Sequence, residues 1–377
     1  MRFEPTDVQR ALREEVRSFA AEEIAPIAAE CDRTGEFPDG VLDDLGEMGL
    51  TGLTLPEEYG GEGAGLVELV IAIEELSTAM MPVASALALH LGVATVVERF
   101  GTDGLKDELL AEMASYDTVG ALGYSEDDAG SDKSRMETTA EHDGDEWVID
   151  GHKRWVTNFF DADYVLTYAK TGPDADAPRN VSAFLVPSDE FEVDHVWDTL
   201  GARALKSPRV TLSNVRVPDE RRVGEVGSAA IERGTVYNGV NVPARAVGIA
   251  RAALEDTIEY TADREQFGRS VGDFQGVRWR VAEMAGNVDV ARLLTLRAAD
   301  LADRGGDSKR ELAMAKIDAT ETAVEVTNEA LQLHGGVGYT ASKDIERYLR
   351  DARLLTIAGG PNELHRNTLA DAVYGEK

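Results

Sequence analysis

The sequence predicts a mainly α-helical chain with a small antiparallel β-barrel domain at its centre. The expected layout is a helical N-terminal domain over residues 1–117, a middle β domain over 118–227 and a C-terminal four-helix bundle over 228–377. Three observations carry this. Apolar residues recur at helical spacing before residue 117. Short strand-like runs between turn signals replace them from about residue 118. The helical period returns at about residue 228 and persists. Helices, then strands, then a bundle favour distinct domains over a doubly wound sheet.

Thr6 and Gln9 form a capping-box pattern, in which each side chain satisfies a free backbone amide. Val8, Leu12, Val16 and Phe19 follow as a helical stripe. Glu36-Phe37-Pro38 breaks it, and Val41, Leu45 and Met48 mark a further helix. Residues 53–65 form a Gly- and Pro-containing loop. The GGEGAG within it lacks the spacing of a dinucleotide fingerprint and no strand frames it, so it is a connector. Apolar helices follow over residues 66–77 and 82–100. In the middle domain, Asp143-Gly144 precedes a strand at 146–149 and Asp150-Gly151 one at 152–157. Further strands are expected at 181–186 and 210–217. On a strand, Trp155 and Thr157 share a face. In the last region Leu254 and Ile258 are four apart, and Ile317, Val324 and Leu331 recur every seven residues, as in a bundle. Gly305-Gly306 and Gly335-Gly336 end helices.

The chain has 377 residues, 43% of them hydrophobic, enough for a large core. Its net charge of −32 repels nucleic acid and anionic membrane. The acids are dispersed, which suits a surface kept soluble in concentrated salt, where screening weakens self-repulsion. Cys31 is the single cysteine, so no internal disulfide forms. Six scattered histidines lack metal-ligand spacing, and metal catalysis is not expected. The charged, amphipathic N-terminus lacks a secretory pattern, and no apolar run reaches the ~20 residues of a spanning helix. The expected location is the cytoplasm.

The stretch 121–158 carries the chemistry. ALGYSEDDAGSD is a polar loop whose small residues, Ala129, Gly130 and Ser131, let backbone amides approach a phosphate. GHKRWVTN places an indole two residues from a hydroxyl: a wall and a hydrogen-bond partner for a flat ring with polar edges. YSEDDAGSD and GHKRWVTN, in this order and separation, resemble the flavin-binding signature of the acyl-CoA dehydrogenase family, "VTEPGAGSD" followed by "G-x-K-x-W-I-T-N". Three further segments are similar to that family: LPEEYGG at the helical connector, DREQFGRSV with Gln275 downstream, and QLHGGVGY.

The resemblance implies an FAD-dependent enzyme that α,β-dehydrogenates an acyl-CoA and passes electrons to an electron-transferring flavoprotein. It implies a homotetramer, or a heterotetramer with a second family member. It places Ser125 at the flavin's pyrimidine side with Tyr124 beside it, and Thr157 at its reactive nitrogen. Trp155 covers one edge, and Gly130 and Ser131 lie at the pyrophosphate, with Ser131 also facing substrate. Arg264, Phe267, Gln275, Gln332 and Gly336 hold the FAD of a neighbouring subunit, Arg264 as a planar cationic fork suited to a pyrophosphate, and Gln266, Phe274 and Gly335 belong to the cofactor set. Asn362 belongs to the cofactor set, and Tyr237, Asn238, Gly359 and Gly360 to the substrate set.

The sequence departs from the family at the general base, which must accept the α-proton near neutral pH. Most members carry a glutamate in "Y-E-G-T"; aligned on Leu364 and Arg366, that position is Gly359. Others carry it in "F-E-R"; counted back from Arg264, that position is Asn238. Glu363 is expected near the cofactor, Glu232 lies on another helix face, and an unperturbed Tyr237 phenol stays protonated near pH 7. The catalytic base is therefore unassigned, although the Gly359 amide still offers a donor to a thioester carbonyl. Asp127 and Asp128 replace the usual Pro-Gly and are expected to point outward. Three readings remain: an acyl-CoA dehydrogenase with its base elsewhere, a non-catalytic FAD- or acyl-CoA-binding subunit of a heteromeric dehydrogenase, and a flavoprotein of related chemistry such as an oxidase.

Overall fold

The computed structural model describes residues 4–231 and 239–375. Helix α1 (Asp7–Phe19) runs through one π-helical turn into α2 (Ala25–Thr34). Its start is the expected capping box, with Gln9 N donating to Thr6 Oγ1 at 3.2 Å and Thr6 N to Gln9 Oε1 at 2.9 Å. Val16 is fully buried, whereas Val8 near the start of the helix is 72% exposed. Helices α3 (Val41–Glu47), α4 (Leu66–Ala79), α5 (Met81–Phe100) and α6 (Asp103–Ala114) complete this part. The glycine-containing connector is a loop, as expected. Contrary to the sequence expectation, α5 has the length and mean hydropathy (1.5) of a spanning helix, yet 78% of that window is buried inside the protein. Packing against other helices satisfies it.

The middle part is one eight-stranded curled sheet of strands β1 (Gly120–Gly123), β2 (Thr139–Asp143), β3 (Glu146–Lys153), β4 (Tyr164–Lys170), β5 (Val181–Pro187), β6 (Glu192–His195), β7 (Arg209–Pro218) and β8 (Arg222–Val223). The order β6-β7-β3-β2-β4-β5-β8 is mostly antiparallel. Strand β1 joins β4 in parallel, and β2 meets β4 at one parallel pair. Gly144, at φ +71°, makes the tight β2–β3 turn. The second expected turn, Asp150-Gly151, is instead a bulge inside one continuous strand, with the register shifting between Ile149 and Gly151. Gly151 sits at φ +147°, and a Cβ there would lie 2.5 Å from Thr138 Oγ1, so only glycine fits.

Helices α7 (Asn241–Asp263), α8 (Gln275–Asp303) and α9 (Lys309–His334) form the bundle, followed by α10 (Ile345–Leu355) and α11 (Asn362–Tyr374). The expected stripe on α9 is only half-buried at Ile317, Val324 and Leu331. The residues that fill the core are Ala319, Ala323, Val326 and Ala330. A seven-residue count of large side chains missed a face built from small ones, which allow close helix approach. One apolar core joins α1–α5 to Ala298, Ala299 and Ala315 of the bundle. Beside it, the buried Glu74 and Glu75 of α4 meet Arg251 of α7 at 3.0 Å and 2.5 Å. Burying two carboxylates requires such charge-assisted pairing.

Candidate active site

The signature loop leaves β1 at Gly123. Glu126, 1% exposed, turns inward rather than toward solvent. It accepts Lys153 Nζ at 2.5 Å and the amides of Glu137 and Thr138 at 2.5 Å and 3.2 Å. Burial alone raises this carboxyl; the Lys153 charge and the amides outweigh it and hold it below its ordinary value. Burial pushes the fully enclosed Lys153 down to about 8 against the opposing pull of Glu126. The pair fastens both ends of the loop to β3. Asp127 and Asp128 are exposed, as expected, and Asp127 is drawn to Arg209 at 3.0 Å and Arg154 at 3.4 Å. Gly130 and Ser131 are exposed at the loop tip, and nothing lies within 4 Å of a Cβ built on Gly130.

Strand β3 ends at Lys153, so Trp155 and Thr157 are not on a strand, and the shared-face argument does not apply to them. Arg154 N donates to Ser125 O at 2.8 Å, tying the two motifs together. The chain then turns through left-handed backbone at Trp155 (φ +59°) and Asn158 (φ +67°). Such backbone costs about 1 kcal/mol or more in a non-glycine residue and is held by its surroundings. Here Asn158 Nδ2 donates to Ala86 O at 2.8 Å. The turn leaves Trp155 45% exposed, its indole tilted 31° against that of Trp197 with centroids 4.2 Å apart. Thr157 shares a 3.0 Å hydroxyl contact with Ser207. The Arg154 guanidinium lies over both indoles, and its buried Nε has no hydrogen-bond partner. Tyr124 stands edge-on to Tyr168 with centroids 4.8 Å apart. Thus Tyr124, Ser125, Trp155 and Thr157 are brought together. Trp197 and Ser207 contact Trp155 and Thr157, and their sequence surroundings carry no signal that singles them out.

Gln266 and Phe267 lie on a second structure, the hairpin of β9 (Glu265–Gln266) and β10 (Arg269–Ser270) between α7 and α8, with Arg264 just before it and Phe274 and Gln275 at the start of α8. Phe267, at φ +55° and 93% exposed, stands at its tip, edge-on to Phe274. Arg264, Gln266 and Gln275 are exposed. The end of α9 lies alongside, His334 stacking on Tyr260 at 4.4 Å, with Gln332, Gly335 and Gly336 at the surface beyond it. Among the described residues no hydrogen bond, ion pair or ring contact joins this group to the Ser125–Thr157 group. The two groups face outward from separate parts of the chain.

The loop that carries Gly359 and Gly360 (φ +67° and +89°) is anchored from below. Lys316, 1% exposed, donates to Gly360 O and Asn362 Oδ1 at 2.7 Å and to Thr356 O at 3.3 Å. Burial pushes its ammonium down to about 8. Asn362 also donates to Thr320 Oγ1 and Glu321 Oε1. It is 3% exposed, so it supports the loop from inside and does not present its amide to a cofactor. Gly359 lies at the surface, and His365 Nε2 is 3.1 Å from its carbonyl oxygen. The Glu363 side chain is 80% exposed and pairs with Arg366 at 3.8 Å. Glu232, Tyr237 and Asn238 lie outside the described residues. Lys316 and His365 escaped sequence reasoning because neither sits in a glycine-rich or aromatic motif.

An exposed indole beside a hydroxyl, a cationic Nε without a hydrogen-bond partner and open space over Gly130, Gly335 and Gly336 fit a flat, anionic dinucleotide. The class this defines is a flavin-binding protein with a central β domain between helical domains. Family models agree along almost the whole length. They match the N-terminal domain of acyl-CoA dehydrogenase over residues 6–117, the middle domain over 121–215 and the C-terminal domain over 227–374. The chain is 38% identical over 376 residues to the probable acyl-CoA dehydrogenase YngJ of Bacillus subtilis, covering 98% of this chain and 99% of that one. It superposes on the butyryl-CoA dehydrogenase of Megasphaera elsdenii with a TM-score of 0.96, at 30% identity, over 99% and 100% of the two chains. An FAD complex of PigA superposes with a TM-score of 0.93 at 26% identity, over 99% of each chain. The chain belongs to the acyl-CoA dehydrogenase family.

Proposed function

We propose that this enzyme dehydrogenates an acyl-CoA between its α and β carbons with FAD as cofactor. The observation that carries the reading is the Arg154–Ser125 bridge, which sets the signature loop against the Trp155–Thr157 turn. When bound, FAD supplies the two-electron acceptor for the β-hydrogen. Trp155 walls the ring, Thr157 and Ser125 hydrogen-bond its edges, and Gly130 and Ser131 admit the pyrophosphate. Arg264, Gln332 and Gly336 of a neighbouring copy complete the cradle, so oligomerisation, as a homotetramer or a heterotetramer, is part of cofactor binding. Lys316 fixes the loop that carries Gly359, whose amide the family resemblance places at the thioester carbonyl, where a donor stabilises developing negative charge. An electron-transferring flavoprotein takes the electrons onward, in the cytoplasm.

A second reading is favoured by one observation: no carboxylate stands at Gly359. In it the chain binds FAD or acyl-CoA inside a heteromeric dehydrogenase and a different chain supplies the base. One experiment separates the two. Acyl-CoAs of several lengths are added to the pure chain while the visible spectrum is recorded. Bleaching of the flavin band supports the first reading. A yellow protein inert to all of them, but active when co-expressed with a second family member, supports the second. The Gly359→Glu variant tests the substrate placement. Glutamate at φ +67° carries roughly 1–2 kcal/mol of strain, yet flavin reduction is expected to rise. No gain tells against placing the α-carbon at this loop.

A further inference from the structure

We propose that Lys133 is a positioning residue that makes the bound flavin easier to reduce, acting through the Ser125 hydroxyl. The inference rests on the proposed placement of the ring's pyrimidine side at Ser125.

Lys133 opens a short 3-10 turn, Lys133–Arg135, whose preceding residue Asp132 caps it by accepting Ser134 N at 3.2 Å. From there its half-buried side chain folds back under the signature loop. Nζ donates to Ser125 Oγ and to Ala129 O, each at 3.0 Å, and lies 4.1 Å from the centre of the Tyr124 ring. Three contacts from three different residues of the motif fix the ammonium in one place. A carbonyl, a hydroxyl and an aromatic face are each favourable to a cation. Three acids of the same loop are engaged elsewhere, Glu126 with Lys153, Asp127 with Arg209 and Arg154, and Asp132 with its own turn, while Asp128 is exposed.

A hydroxyl that accepts from an ammonium must send its own proton to another acceptor, and the charge behind it polarises that proton. Ser125 is therefore set as a strengthened donor facing away from Lys133. Two electrons and one proton arriving on a flavin leave one negative charge, gathered at the pyrimidine side. A fixed cation one hydrogen bond behind that edge stabilises the reduced form more than the oxidised one. A plain loop cross-link would not discriminate between the two.

The test compares flavin reduction potentials of wild-type holoenzyme, Lys133→Gln and Lys133→Arg against a reference dye. Glutamine keeps a donor for the loop and removes the charge; arginine keeps the charge. The Gln variant is expected to hold FAD but to show the ratio of reduced to oxidised flavin lowered about tenfold at a given dye ratio, ~30 mV for a two-electron couple. The Arg variant is expected to stay near wild type. A Gln variant that holds FAD at an unchanged potential overturns the proposal and leaves Lys133 as a loop tie. Should the Gln variant lose FAD, Ser125→Ala decides. It keeps the ammonium and cuts the relay, so its potential must fall in the same direction, and an unchanged value overturns the proposal. A wild-type protein that refuses FAD altogether refutes the proposed function instead, which keeps the two failures distinct.

Discussion

Removing the Lys153 ammonium tests whether a buried ion pair holds the signature loop in place. The pair is enclosed on both sides, with Lys153 0% and Glu126 1% exposed, and its oxygen and nitrogen are 2.5 Å apart. At an effective dielectric of about 20 the attraction over that distance is about 7 kcal/mol. Desolvation takes back several kcal/mol for each ion, so the intact pair is worth far less than its attraction. Breaking it is different. Lys153→Met leaves Glu126 buried with only the Glu137 and Thr138 amides, and an uncompensated charge of that kind costs roughly 3–5 kcal/mol. The double variant Lys153→Met with Glu126→Gln removes both charges and is expected to recover at least half of that loss. Urea unfolding of wild type, both single variants and the double variant gives the coupling energy directly. The Lys153→Met variant should also weaken FAD binding, because the loop is tied to β3 through this contact. A Lys153→Met protein within about 1 kcal/mol of wild type, the cost of an ordinary hydrogen bond, would refute the reasoning.

Two further outcomes follow from the charges. Burial pushes the Asp351 carboxyl up to about 6, against the pull of Arg347 and the Ala202 amide, which donates to it at 2.6 Å. The folded state therefore holds a proton that the unfolded chain releases near pH 4, and stability from this group falls as pH rises from about 4 through about 6. An asparagine side chain does not titrate, so unfolding curves of Asp351→Asn against wild type should shift in the variant's favour by up to about 3 kcal/mol between those pH values; a difference independent of pH contradicts the assignment. The net charge of −32 is expected to make the protein more stable in molar KCl than in dilute buffer, as screening relieves self-repulsion. A melting temperature that does not rise with KCl rules this out.

Much of the architecture was legible because local chemistry and tertiary packing agree there. Thr6 and Gln9 cap α1 as read, and Gly144 turns β2 into β3. Sequence reasoning failed where a neighbour decides the outcome. Asp150-Gly151 carries the letters of a turn, but the approach of Thr138 makes it a bulge. Trp155 and Thr157 carry an alternating strand pattern, yet β3 stops at Lys153 and the chain turns left-handed. Alternation alone cannot register a positive φ imposed by surrounding contacts. The motif residues Ser125 and Trp155 stand out in the text; Trp197, Ser207 and Lys316 do not, because their contacts come from distant segments folding together, and Lys133 lies within the motif but meets Ser125 by a fold-back that spacing does not show. Asn362 shows the reverse error, a motif position whose side chain serves the interior.

The central claim is that the Ser125–Thr157 cleft and the Arg264 and Gln332 segments of a neighbouring copy enclose one flavin. Titrating flavin-stripped protein with FAD, while following the visible bands and the oligomer size together, addresses it directly. The account expects about one FAD per chain, lost on Arg264→Ala although that side chain has no contact with Trp155 in its own subunit. A colourless protein that takes up no FAD, or one that binds it equally well without Arg264, would contradict it.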